Sequence, residues 1–299
     1  MTATPLRTAV VIGCGATGTS VALALTGAGV EVALIDQDPR AAADAAALGA
    51  GTPWCPALPP ADLVVVATPP SAVVDVLYTA QARGLGRVYT DTAATKDIIC
   101  ADAELRGCDL KGYVPGHPSA GPDAPGRATA DAGRFAGRPW VLCPYETTPA
   151  WALETVDALI ALCGAARRDM TPDAHDRAVA AVSHLPYLVA AVLAAGLADA
   201  DGEQLSLTGD ELAALAGIAA ADPVLGSDLL THNAGPVADA IDRAVRDLGA
   251  VARVLHEGAD TAPVELGLLL ERGGRGAAAV TGARQALRTP GDAGHGGRM

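Results

Sequence analysis

Aromatic side chains are scarce: Phe, Tyr and Trp together make up 3 % of the 299 residues. Any core must therefore be built from smaller pieces, and the 50 % hydrophobic content, mostly Ala, Val and Leu, supplies them. Clustered basic charge is also missing, and the net charge is −13. That excludes an extended nucleic-acid partner, because phosphate neutralisation needs grouped Lys and Arg. The acidity itself bears on solubility, not on substrate. The six cysteines (14, 55, 100, 108, 143 and 163) form no CxxC pair and no metal-type spacing. This argues against a bound metal and for reduced thiols in a cytoplasmic protein. No apolar run is expected to cross a bilayer. The opening "MTATPLRTAVVIG" lacks the basic region and cleavage site of an export signal. No repeat is visible.

What is present alternates. Short β-branched runs at 8–13, 30–36, 61–69, 87–92 and 139–144 are separated by Ala-rich stretches at helical spacing, such as 17–28, 39–48 and 71–84. Near-continuous apolar strands between helices predict an α/β fold, a mostly parallel sheet covered on both faces. From Pro149 onward the pattern is helical, with Thr171 and Pro172 as a helix start and Pro186 as an expected kink. The expected division is a Rossmann domain over 1–149, an all-helical domain over 150–275, and a disordered tail over 276–299.

The stretch "VVIGCGATGTSVALAL" places Gly13, Gly15 and Gly18 as GxGxxG between a strand and a helix. Gly13 permits the tight turn, Gly15 lets the backbone approach a pyrophosphate, and Gly18 allows close helix packing. Ala16 and Thr17 open the helix whose N–H groups and dipole favour an anion. Asp36 ends the second strand at the expected distance, where an acid accepts from the ribose and repels a 2′-phosphate. The cofactor expected is NAD. Thr68 and Pro69, after another strand, belong to a loop that usually passes beside a dinucleotide.

Three later segments carry further chemistry: "YTDTAATKDII" (89–99), "YVPGHPSAGPD" (113–123) with the run that follows it to 144, and "HDRAVAAVSHLPYLVAAVL" (175–193). His117, walled in by Pro and Gly, is open to three readings: proton acceptor, metal ligand, or polar residue in a turn. His175 and Asp176 read as ordinary first-turn or surface groups. Taken together, from about residue 8 to 195, these motifs resemble the prephenate dehydrogenase family, which includes arogenate and cyclohexadienyl dehydrogenases. The family shows Asp-x-x-Ser-x-Lys, His-Pro-x-x-Gly, Gly-Arg-x-Trp-x-Leu-x-Pro and Ser-His-Leu-Pro-His.

The resemblance implies an NAD-dependent oxidation of a small cyclohexadiene, with loss of its ring carboxylate making the ring aromatic, in a homodimer joined through the helical domain. It assigns His117 as the base that takes the ring hydroxyl proton, which a neutral imidazole can do at neutral pH. It places His184 in the site, with a histidine satisfied inside a helical bundle as the alternative. Lys96 serves the cofactor or a helix start, or is a solvated lysine. Thr92, Thr95, Asp123, Ser183 and Tyr187 are candidate substrate contacts.

Departures from the family pattern are specific. Its serine falls on Ala94, its second helical histidine on Tyr187, and its carboxylate-gripping arginine on Gly217. A tryptophan position falls on Gly226. A glycine cannot replace a bidentate guanidinium, unless Arg134, Arg138 or Arg177 takes over. The residues kept serve NAD and proton removal, and those lost serve substrate binding. An altered cyclohexadienyl or related substrate in a specialised pathway is therefore expected. Ordinary prephenate or arogenate oxidation in tyrosine biosynthesis and a non-catalytic NAD-binding relative are the alternatives.

Overall fold

The computed structural model describes residues 6–119, 130–220, 222–258 and 262–288. Strands β1 (Thr8–Ile12), β2 (Glu31–Ile35), β3 (Thr52–Pro53), β4 (Ala61–Val66), β5 (Gly86–Asp91) and β6 (Tyr113–Val114) form one sheet in the order β3-β2-β1-β4-β5-β6. Every pairing in it is parallel. Adjacent residues such as Val64 and Val65 are both fully buried, so both faces are covered, as the continuous apolar runs require. Helices α1 (Ala16–Gly27), α2 (Pro39–Ala47) and α5 (Ala150–Leu162) cover one face, and α3 (Val73–Ala82) and α4 (Asp97–Arg106) the other. The expected α/β sheet with flanking helices is present.

After Val114 the chain leaves the large sheet through Pro115 and enters a small one. This contains β7 (Gly116–Pro118), β8 (Pro139–Leu142) and β9 (Ala166–Asp169), with β7 antiparallel and β9 parallel to β8. His117 therefore sits on a three-residue edge strand, opposite Val141, and not in a turn. Strand β9 lies past residue 150, where only helices were expected. Its sequence Ala-Arg-Arg-Asp has no apolar period, and it holds its place by pairing with β8. The expected division at 149/150 falls within one compact unit, Met1–Ala238; the second unit is Asp239–Met299.

The helices that follow are α6 (Pro172–Val179), α7 (Leu185–Ala195), α8 (Gly202–Leu205), α9 (Asp210–Ala219), α10 (Pro223–Thr231), α11 (Ala234–Glu257) and α12 (Ala262–Arg288). Thr171 caps α6 by accepting from Ala174 N–H, with Pro172 in the first turn, as expected. Pro186 does not end the run. A π turn over Ala180–His184 joins α6 to α7 immediately before it and absorbs the missing donor. The joined run Pro172–Ala195, of mean hydropathy 1.9 in its most apolar window, is long and apolar enough to cross a membrane by length and composition. That corrects the expectation that none would be; its polar positions break the string into shorter apolar pieces, but the helix is continuous. The tail also differs. Residues 276–288 continue α12, because Ala, Arg, Gln and Leu there are good helix formers, and 289–299 lie outside the described residues.

Candidate active site

The loops at the carboxyl ends of β1, β2, β4 and β5 converge where the strand order reverses, the usual ligand crevice of such sheets. Gly13 has φ +100°, and a Cβ there would lie 2.3 Å from the Ala67 carbonyl oxygen. A Cβ on Gly18 would lie 1.9 Å from the Gly13 oxygen, so α1 can approach β1 only with glycine at that position. Nothing stands within 4 Å of a Cβ built on Gly15, which leaves open space in front of the helix N-terminus at Ala16 and Thr17. One Asp36 oxygen accepts from Cys14 N–H at 2.6 Å and the other from Asp38 N–H at 2.9 Å, which fixes the carboxylate beside the loop with lone pairs remaining. Thr68, next to Pro69, carries a buried hydroxyl with no partner in the protein among the described residues. These features fit a dinucleotide: a cradle that any Cβ would fill, an aimed acid and an orphaned hydroxyl. We expect Gly18→Ala to force α1 from the sheet, costing about 1–3 kcal/mol of stability. It should weaken NAD binding at least tenfold, as titration calorimetry and thermal melting would read.

Beyond β5 the chain turns through Thr92 to Lys96. Lys96 is fully buried and its ammonium pairs with Asp91, also fully buried. Asp91 further accepts from Ala93 N–H at 2.9 Å, Tyr113 O–H at 2.7 Å and Gly116 N–H at 3.2 Å. Burial, and then the Asp91 charge, hold the Tyr113 phenol well above its ordinary range, so it remains a donor. Lys96 is thus neither a solvated lysine nor an open cofactor ligand; it neutralises the carboxylate that anchors the backbone beside His117.

His117 Nδ1 lies 2.8 Å from His175 Nε2, and His175 Nδ1 lies 2.7 Å from Asp176 Oδ1. Both His175 and Asp176 are buried, at 1 % and 2 % exposure, contrary to the surface role expected from sequence. The Asp176 carboxylate also accepts from the N–H groups of Lys96 (2.8 Å) and Asp97 (2.9 Å), capping the start of α4. The tautomers follow from this network. A carboxylate only accepts, so the proton of a neutral His175 is on Nδ1 and its Nε2 is a lone pair. His117 then donates from Nδ1 and keeps the lone pair of Nε2 for a reacting proton. Burial first, then His175, Lys96 and His184, push the His117 pKa well below its ordinary value, so the ring is a neutral base at pH 7.

His184 joins the same cluster through the π turn. Residues nine apart on a regular helix face opposite ways, at about 100° per residue; one extra residue takes back about 100° and brings His184 toward the side of His175. His184 is fully buried, and burial, with a smaller push from His175 against the pull of Asp176, lowers its pKa to about 4. Ser183, by contrast, is exposed on the outer side. Thr92 is half-buried, and Thr95 Oγ1 is buried with no partner among the described residues. Tyr187 is half-buried and lies over Gly226, where a Cβ would come 2.3 Å from its hydroxyl. Arg138 is exposed, and Arg177 is exposed and paired with Asp173. Asp123 lies outside the described residues.

Residues 21–168 match the nucleotide-binding domain of prephenate dehydrogenase, and residues 171–266 match its dimerization domain. The probable prephenate dehydrogenase NovF of Streptomyces niveus is 39 % identical over 258 residues, 85 % of this chain and 70 % of that protein. The chain belongs to the prephenate dehydrogenase family. The prephenate dehydrogenase of Bacillus subtilis is 27 % identical over 65 % of this chain and 54 % of its own length. The crystal structure of prephenate dehydrogenase from A. aeolicus, in complex with hydroxyphenyl propionate and NAD+, superposes with a TM-score of 0.78 at 23 % identity. It covers 90 % of this chain and 98 % of that one. Both family domains are therefore represented, and their matched boundary, near residue 170, follows β9. The family is one of NAD-dependent oxidoreductases, and the glycine cradle, Asp36 and Thr68 fit that cofactor.

His175 and Asp176 are members of this buried cluster that sequence reasoning passed over. The available signal was an adjacent His-Asp pair nine residues before a second histidine on one helix; only the π turn and the start of α4 give that spacing meaning.

Proposed function

We propose that this protein is an NAD-dependent dehydrogenase that takes hydride from the ring carbon bearing a hydroxyl, or an amine in its place, in a cyclohexadienyl substrate, with decarboxylation and aromatisation. The observation that carries this reading is the Asp176–His175–His117 chain beside the dinucleotide cradle. When bound, NAD supplies the two-electron acceptor. His117 Nε2 accepts the proton of that hydroxyl or amine, and His175, held by Asp176, orients the ring by accepting from His117 Nδ1–H. The chain achieves this without a hydroxyl at Ala94.

The substrate differs from prephenate in what the pocket must grip. Gly217 offers no guanidinium, Arg138 and Arg177 are exposed, and Tyr187 with Gly226 replaces a histidine and a tryptophan. A place in a specialised pathway suits that change. The second reading, prephenate itself, is favoured by the 39 % identity to a probable prephenate dehydrogenase. The protein acts in the cytoplasm as a homodimer. The match to a dimerization domain and exposed apolar residues of the Pro172–Ala195 run, Val182 and Val192 among them, support that pairing.

NADH formation with prephenate, arogenate and their 4-amino-4-deoxy analogues separates these readings. Turnover of an analogue well above prephenate is the expected result. Efficient prephenate turnover would remove the altered substrate, and NAD binding without turnover of any cyclohexadiene would leave a non-catalytic protein.

A further inference from the structure

Asn233 stands just before α11, is 2 % exposed, and reaches back to the histidine cluster. Its Nδ2 lies 2.9 Å from the backbone carbonyl of Asp176 and 3.0 Å from His184 Nδ1. A carbonyl only accepts, so the amide nitrogen and not the amide oxygen faces Asp176. The second hydrogen of the same NH2 group then points to His184 Nδ1, which must be the lone-pair nitrogen. The imidazole proton is consequently on Nε2. That atom is fully buried and has no partner among the described residues, a state a donor keeps only where something else is to receive it.

From this geometry we propose that Asn233 is a positioning residue: it locks His184 as the Nε2–H tautomer and so presets a neutral hydrogen-bond donor for an oxygen of the substrate. The proposal rests on the dehydrogenase reading for the identity of the acceptor, and on contacts alone for the tautomer. The titratable groups that act on His184 are Asp176 and His175 from α6 and His117 from β7. Of these only Asp176 favours a cation, and burial outweighs it. A neutral donor serves a hydroxyl or a carboxylate oxygen equally. Unlike a guanidinium, it makes no demand for a second negative charge, which agrees with the loss of arginine at Gly217.

The test uses the full chain with 15N-labelled histidine, His184→Gln assigning the signals. At pH 7, without substrate, His184 should show a protonated Nε2 and an unprotonated Nδ1. In Asn233→Ala the Nδ1-protonated form should appear, with KM raised about tenfold and kcat changed far less. In Asn233→Asp a carboxylate opposite Nδ1 should draw the proton there and bring His184 titration up toward neutral pH, adding a limb to the pH profile of kcat/KM. A wild-type His184 protonated on Nδ1, or an unchanged tautomer in both variants, would overturn the proposal. The nitrogen signals need no substrate, so a failure of the dehydrogenase reading would leave this part of the test standing.

Discussion

His117→Gln should lower kcat/KM by about 10³-fold, the scale on which a positioned general base contributes, or roughly 4 kcal/mol of transition-state stabilisation. Glutamine keeps a polar side chain on the edge strand and can still meet His175, so folding and NAD affinity should hold. The loss should fall on kcat as much as on kcat/KM, since the proton moves in the transition state. The wild-type pH profile gives the companion measurement. His117 is held well below its ordinary pKa by burial and by His175, Lys96 and His184. Its base form therefore persists as pH falls through ~6.5, the free-histidine value. Activity should stay level across that point and decline only as pH passes the lower, folded value. An acid limb centred near ~6.5, or a His117→Gln enzyme of undiminished rate, would move the proton acceptor elsewhere.

The second large effect is on stability. Lys96→Met should destabilise the fold by about 3–5 kcal/mol, because it leaves Asp91 as a buried charge without its counter-ion. Hydrogen bonds from Ala93, Tyr113 and Gly116 remain and place the expectation toward the lower end. Urea unfolding reads the change. Adding Asp91→Asn to the same chain should recover much of it, as removing both charges is far less harmful than removing one. A Lys96→Met protein as stable as wild type would show the pair to be energetically idle. Activity should fall as well, since Asp91 holds the Gly116 N–H next to the catalytic strand.

Legibility of the fold in the sequence followed burial. Strands β1, β2, β4, β5 and β8 lie in apolar runs that contain β-branched residues, and their positions could be read directly. Of the strands of two to four residues, β3, β6, β7 and β9 could not: they have no room for a period, and β9 is half arginine. The cofactor loop was legible because backbone sterics at Gly13 and Gly18 tolerate one residue type. His117 and His184 became legible through the family's motifs. His175, Asp176 and Asn233 stayed hidden because their roles are tertiary. Asp176 matters through the start of α4, some 80 residues earlier, and Asn233 through a carbonyl 57 residues away. A polar residue near a helix start looks the same in sequence whether it meets water or another helix's N–H groups.

The π turn at Ala180–His184 carries a consequence for how descendants of this chain can be judged. Loss of a single residue between the two histidines would restore a regular helix and leave every motif letter in place. His184 would also keep its direction, since eight steps of about 100° bring it to the side it faces now. Straightening the helix at the present spacing of nine is what would swing it by roughly 100°, away from Asn233. A lineage could thus shed one codon here and keep the cluster, although a residue-string comparison scores a gap inside a motif. The spacing between His175 and His184 has meaning only together with the turn type, so a search for working relatives should admit eight on a regular helix as well as nine across a π turn.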